Sequence, residues 1–191
     1  NVLLDADFDY NKVRNYLPGL LGWTKYYGVF DGNNHTISNV RRSDTGYEVI
    51  TPQNFGTIKN VHVKNISDKC YGGKHTRQGI VCGDNYGIVE NCSVESAVIE
   101  TVAQKENSIY GKVMEYGALV GGNFGTIRGC FASDITFDGE GVTWLLAHEF
   151  PYSTIENTYY EANVESGDAA KTAEPVSYTH LRAHETDQYL V

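Results

Sequence analysis

Three times in this chain an asparagine, an aromatic residue and a glycine lead into an apolar segment. They are Asn54-Phe55-Gly56-Thr57-Ile58-Lys59-Asn60-Val61, Asn85-Tyr86-Gly87-Ile88-Val89-Glu90-Asn91-Cys92 and Asn123-Phe124-Gly125-Thr126-Ile127-Arg128-Gly129-Cys130. A unit of this size cannot bury its own apolar face. It has to stack on copies of itself, so the repeat constrains the fold before any local propensity is considered.

The central aliphatic residue lays the repeat out. Ile37, Ile58, Val89, Ile127 and Ile155 take one place, with gaps of 21, 31, 38 and 28 residues. Two positions later stand Asn39, Asn60, Asn91, Gly129 and Asn157; three later, Val40, Val61, Cys92, Cys130 and Thr158; five later, Arg42, Val63, Val94, Ala132 and Tyr160. Side chains of a straight strand alternate between faces, so positions 0, +3 and +5 cannot share one face unless the strand bends. Asparagine tolerates left-handed backbone angles and can bond its counterpart one strand away, which places the bend at the Asn column. The expected fold is all-β: a right-handed parallel β-helix, a solenoid fragment of about four to five coils, each adding about 4.8 Å along the axis. A set of antiparallel hairpins sharing turn residues is the competing architecture.

A short apolar run precedes each Asn-aromatic-Gly turn. Gly79-Ile80-Val81-Cys82-Gly83-Asp84-Asn85 aligns with Gly117-Ala118-Leu119-Val120-Gly121-Gly122-Asn123, and Glu48 to Asn54 is a degenerate copy. Leu145-Leu146-Ala147 begins a last unit. Variable gaps imply loops that leave the stack, the longest near Thr101 to Met114 and a second at Asp68 to Arg77.

A formal charge of −9 argues against a nucleic-acid partner, because phosphate binding needs clustered Lys and Arg. No segment approaches the length of an apolar membrane span. Cys70, Cys82, Cys92 and Cys130 lack zinc-site spacing. Cys92 and Cys130 share a column, which reads as buried thiols rather than a disulfide, since parallel side chains give poor S–S geometry.

Four sets of residues are candidates for chemistry. Asp5, Asp7 and Asp9 alternate like calcium ligands, but Tyr10 and Tyr16 stand where an EF-hand loop needs Gly and Glu. The preferred reading is a solvated strand end. Asp134 with Asp138, or Glu95 with Asp134, could be drawn as a glycosidase pair. Neither sits in a catalytic motif, so they read as exposed acids. His148-Glu149 lacks the second His of a metalloprotease helix. Trp23, Tyr26, Tyr27, Tyr47, Tyr71, Tyr110, Tyr116, Trp144, Tyr159 and Tyr160 could form a strip that stacks on sugars, or could pack under loops. No catalytic, cofactor or metal residue is assigned.

Gly117-Ala118-Leu119-Val120-Gly121-Gly122-Asn123-Phe124-Gly125-Thr126-Ile127 resembles the GLUG motif, named for a Gly-Leu-any-Gly pattern. The copy at Gly79 to Val89 resembles it less closely. Leu4 to Asp9 is similar to the "adopted aspartates" strand that precedes such repeats, and Tyr27 to Ile37 is similar to their "FDGNGHTI" signature. The resemblance covers roughly residues 3 to 165. It implies a non-catalytic extracellular segment of a large secreted or wall-anchored bacterial protein, such as an adhesin or an IgA-cleaving metallopeptidase. The partner it implies is a host or surface glycan or protein. A fragment of a carbohydrate-active β-helix enzyme is the alternative.

Val176-Ser177-Tyr178-Thr179-His180-Leu181-Arg182-Ala183-His184-Glu185-Thr186 has no place in the repeat and resembles a translated transposase-type sequencing adapter. Tyr189-Leu190-Val191 fits its continuation. His180 and His184 are therefore not metal candidates. The expected organisation is residues 1–32 as an N-terminal strand or cap, 33–165 as repeats, 166–175 as a linker and 176–191 as non-native sequence. The chain is expected to be a piece of a larger polypeptide.

Overall fold

The computed structural model describes residues 1–12, 20–22, 25–42, 48–71, 77–102, 115–139, 142–144 and 146–160. These residues are all-β except for one 3-10 turn at Tyr10–Lys12. Every strand pair among them is parallel, which excludes the hairpin architecture. The largest sheet has 11 strands and curls around the core. At its centre lies Thr57–Tyr71, flanked by Val29–Ser38 on one side and by Ser93–Val102 and then Phe131–Gly139 on the other. A 5-stranded sheet comprises Lys25–Tyr26, Thr51–Asn54, Cys82–Asn85, Val120–Asn123 and His148–Glu149. A 3-stranded sheet comprises Arg77–Gly79, Glu115–Gly117 and Val142–Trp144. The arrangement is compatible with a β-helix.

The core is one cluster, and its sequence phase explains how the long strands turn. In successive units the buried apolar residues are Ile58, Val61, Val63 and Ile66; Val89, Cys92, Val94, Ala97 and Ile99; and Ile127, Cys130, Ala132, Ile135 and Phe137. Strict alternation would put buried residues two apart. The extra residue in each longer step is left-handed: Asn60 and Asn65, Asn91 and Ser96, Gly129 and Asp134 all have φ between +51° and +60°. Each such residue turns the chain and resets which face points inward. Two bends thus carry one strand around two corners without interrupting its ladder.

The column through Ile58, Val89, Ile127 and Ile155 is in register, with the first three fully buried and Ile155 half-buried against the core. Ile37 does not belong to it. Ile37 pairs with Val63, and Phe30 takes the place opposite Ile58. Correspondingly, Asn39 bonds through its N–H to the Lys64 carbonyl and lies at the second bend, beside Asn65. Arg42 pairs with Asp68 and so leaves the Val63 column. The misalignment has a physical reason. Both bends have the pattern aliphatic-x-Asn-aliphatic, so Ile37-Ser38-Asn39-Val40 fits either one.

The register shifts between Asp31 and His35. Here Gly32 packs on the Asn60 carbonyl and Val61, leaving no room for a Cβ, while Asn33 and Asn34 are both left-handed. The FDGNNHTI stretch is therefore a bulge over the first bend. The stack also reaches N-terminal of residue 33: Leu20 and Leu21 bond to Val49 and Ile50, and Lys25 and Tyr26 pair with Gln53 and Asn54.

Two expected loops begin later than their polar sequences suggested. Asp68 to Tyr71 complete Thr57–Tyr71, and Thr101 and Val102 complete Ser93–Val102; the two segments pair with one another. Residues 72–76 and 103–114, and everything from 161 onward, lie outside the described residues. Cys82, Cys92 and Cys130 are buried and unbridged. Burial pushes the Cys82 and Cys92 thiols well above the ordinary range.

Candidate functional site

The Asn-aromatic-Gly turns build two ladders side by side, one internal and one external. Asn54, Asn85 and Asn123 are wholly shielded from solvent. Asn54 Nδ2 donates to Asn85 Oδ1 at 2.8 Å, and Asn85 Nδ2 donates to Asn123 Oδ1 at 2.9 Å. Each amide also donates to a backbone carbonyl: Asn54 to Ile88, Asn85 to Thr126 and Asn123 to Thr154. Each Oδ1 accepts the N–H of the glycine two residues on, at Gly56, Gly87 and Gly125. A buried amide costs little only when its donors and acceptor are matched in this way. The glycines are required, because a Cβ on Gly56, Gly87 or Gly125 would strike the carbonyl of the preceding unit's glycine. Tyr26 and Glu149 occupy the ladder position at its two ends.

One residue further on, the side chains point outward and stack. Tyr27, Phe55, Tyr86, Phe124 and Phe150 form a continuous column, with centroid separations of 5.1, 4.5, 4.7 and 4.0 Å and interplanar angles of 23° or less. The spacing follows the separation of neighbouring strands, which brings offset rings into contact. Cations flank the column. Lys25 Nζ lies 5.4 Å from the Phe55 centroid, and the Arg77 guanidinium lies 5.2 and 5.1 Å from Phe124 and Phe150. Arg77 is held in place by two bonds to Asp84, at 2.7 and 3.2 Å, and Asp84 raises its pKa. His148 lies 4.3 Å from the Phe150 ring and bonds Glu115 at 2.6 Å.

This column shares only Tyr27 with the aromatic residues considered for a sugar-stacking strip. Interior ring faces are occupied by neighbouring rings. Only Tyr27, at one end and 69% exposed, combines a stacked face with wide exposure. Tyr116 is buried, and Tyr26, Tyr159 and Tyr160 are half-buried. Trp23, Tyr47 and Tyr110, and the side chains of Tyr71 and Trp144, lie outside the described residues. Phe55, Tyr86, Phe124 and Phe150 were the members missed. For three of them the signal was available, since Phe55, Tyr86 and Phe124 each follow a ladder asparagine; Phe150 follows Glu149, which holds the same ladder position without the asparagine.

A third column runs along the adjoining strands and alternates in sign. Asp31, Lys59, Glu90, Arg128 and Glu156 are successive register partners. Lys59 meets Asp31 at 3.2 Å, and Arg128 Nε meets Glu90 at 2.8 Å.

The acids considered for catalysis are engaged elsewhere. Glu95 pairs with Lys64 at 3.3 Å, and Asp134 accepts the Ser96 hydroxyl at 3.0 Å from a left-handed bend. Asp138 lies opposite Glu100 in the ladder. Asp7 accepts the Thr36 N–H at 2.9 Å and faces His35 at 3.2 Å; the first bond does most to hold its carboxyl below the usual range. Asp9 is lowered first by the Asn39 amide, at 2.8 Å, then by the Asn11 N–H. Asp7 and Asp9 thus bond the bulge and bend of the next strand. Among the described residues no group of three or more His, Cys, Asp or Glu could hold a metal ion. No described helix is long and apolar enough to cross a membrane. No family model, curated protein or solved structure matches the chain.

Proposed function

We propose that this chain is a stretch of right-handed parallel β-helix serving as a non-catalytic extracellular repeat module of a larger bacterial surface or secreted protein. Its role is a stalk or a binding surface for a host or surface glycan or protein. The right-handed sense follows from the general preference of parallel crossovers. The GLUG-like sequence supports the setting.

The observation that carries this reading is the shared register of three unlike columns. Buried amides, surface rings and alternating charges all make their main contacts along the stacking direction. Side chains used this way stiffen a rod and are unavailable for convergent chemistry. Glu95 is bonded to Lys64 and Ser93, and Asp134 to Ser96, so the glycan-processing alternative gains no observation of its own.

The test has two parts. Surface labelling of intact source cells with an antibody to this segment should detect it, and the purified chain should leave a panel of plant and bacterial polysaccharides uncut. Polysaccharide cleavage abolished by Glu95→Gln or Asp134→Asn would replace this proposal with the enzyme reading.

A further inference from the structure

Three asparagines stand in the pattern Asn-x-Ser/Thr that N-glycosyltransferases read: Asn34-His35-Thr36, Asn65-Ile66-Ser67 and Asn91-Cys92-Ser93. All three asparagines are exposed and left-handed, at +60°, +54° and +51°. The fold treats them differently. Ile66 is buried while Asn65 and Ser67 on either side of it are exposed, and neither side chain makes a hydrogen bond among the described residues. Both groups that a transferase must reach therefore face solvent together.

Asn91 is the opposite case. Its Nδ2 donates to Asn60 Oδ1 at 3.4 Å. Ser93 is buried, bonded to His62 at 2.9 Å and to Glu95 at 3.2 Å. Asn34 is intermediate: its side chain makes no hydrogen bond among the described residues, but Thr36 is half-buried and its N–H is bonded to Asp7.

We propose that Asn65 is an acceptor site for an N-linked sugar and that Asn91, despite the same motif, is not. The donor would be a sugar activated as a nucleotide or lipid diphosphate. Asn65 Nδ2 forms a bond to the anomeric carbon as the bond from that carbon to the diphosphate oxygen breaks. The diphosphate leaves with the electron pair, and the amide proton passes to a base of the transferase. A sugar on Asn65 projects from the outer corner of the sheet and displaces no internal contact, so the folded rod tolerates it. A sugar on Asn91 would break the contact with Asn60. The proposal deepens the extracellular reading, since surface modules are where such sugars serve as shields or recognition groups.

The full chain is co-expressed in the cytoplasm with a soluble sequon-reading N-glycosyltransferase that uses a nucleotide-activated hexose, and site occupancy is read by peptide mass spectrometry. The expected result is hexose on the Asn65 peptide, absent in Asn65→Gln and in Ser67→Ala, with Asn91 occupancy at least tenfold lower. The modified protein should melt at the same temperature as the unmodified one. Occupancy at Asn91 equal to or above that at Asn65 overturns the proposal. So does an unmodified Asn65, whether or not a synthetic peptide of the same sequence is modified. Because the assay runs in the cytoplasm, its outcome is independent of the surface-labelling result above.

Discussion

Asn85 donates to Asn123 across 2.9 Å with neither side chain reached by solvent. Asn85 is the middle of its ladder, with partners on both sides and two backbone groups in its keeping. Replacing it by Ala removes four hydrogen bonds, one each from the Asn54 amide, the Asn123 oxygen, the Gly87 N–H and the Thr126 carbonyl, although the first three keep a second partner in Ile88, Gly125 and Asn54. Each lost hydrogen bond costs about 0.5–1.5 kcal/mol net. Asn85→Ala should therefore lose about 3 kcal/mol or more in urea unfolding. An unchanged midpoint would show that the ladder contributes nothing. The apolar control is Ile127→Ala, expected to lose about 2–5 kcal/mol.

Glu90 sits between Lys59 and Arg128 in the alternating column. Glu90→Lys would place three cations in succession. Like charges directly opposite on neighbouring strands destabilise by roughly 1 kcal/mol. Because the groups are partly exposed, raising the salt to 1 M should recover much of the loss. A salt-insensitive deficit would assign it to packing instead.

Among the left-handed residues at the strand bends, Ser96 is the least suited, at φ +57° where the others are Asn, Asp or Gly. A β-branched side chain there meets the full left-handed penalty, so Ser96→Val should cost roughly 1–2 kcal/mol. Ser96→Gly removes that penalty and should be neutral or stabilising, although it gives up the bond to Asp134. Thermal melts of the two variants should move in opposite directions, or at least differ by this margin.

Asp7, Asp9 and Asp31 all have pKa values lowered from 3.8 by hydrogen bonds, Asp31 chiefly through the Asn33 N–H and then the Asn60 amide. A lowered folded-state pKa stabilises above the unfolded value, and the benefit disappears as pH falls through the folded value. The N-terminal strands should therefore loosen first below about pH 4. Amide exchange at Thr36, Asn33 and Asn11 should accelerate there before exchange at Val94 or Ala132. Simultaneous loss would mean that these carboxylates do not hold the end of the stack.

How much of this was legible beforehand depended on how residue identity maps to position. The first bend could be read because Asn60, Asn91 and Asn157 repeat one residue type. The second could not, because Asn65, Ser96 and Asp134 share only a tolerance for positive φ. The internal amide ladder and the aromatic column were present as adjacent letters. Their roles separated only when the turn sent one inward and the other outward. The alternating charges stayed invisible, since units of 28 to 38 residues hide neighbours that the register makes adjacent.

That alternation imposes a parity rule on how such a gene can grow. Removing only the unit with Glu90 would bring Lys59 against Arg128, and removing only the one with Lys59 would bring Asp31 against Glu90. Removing both brings Asp31 against Arg128 and restores attraction. Recombination between repeats is thus electrostatically silent when units are exchanged in pairs and penalised when they are exchanged singly. The chain's length is free to drift only in steps of two.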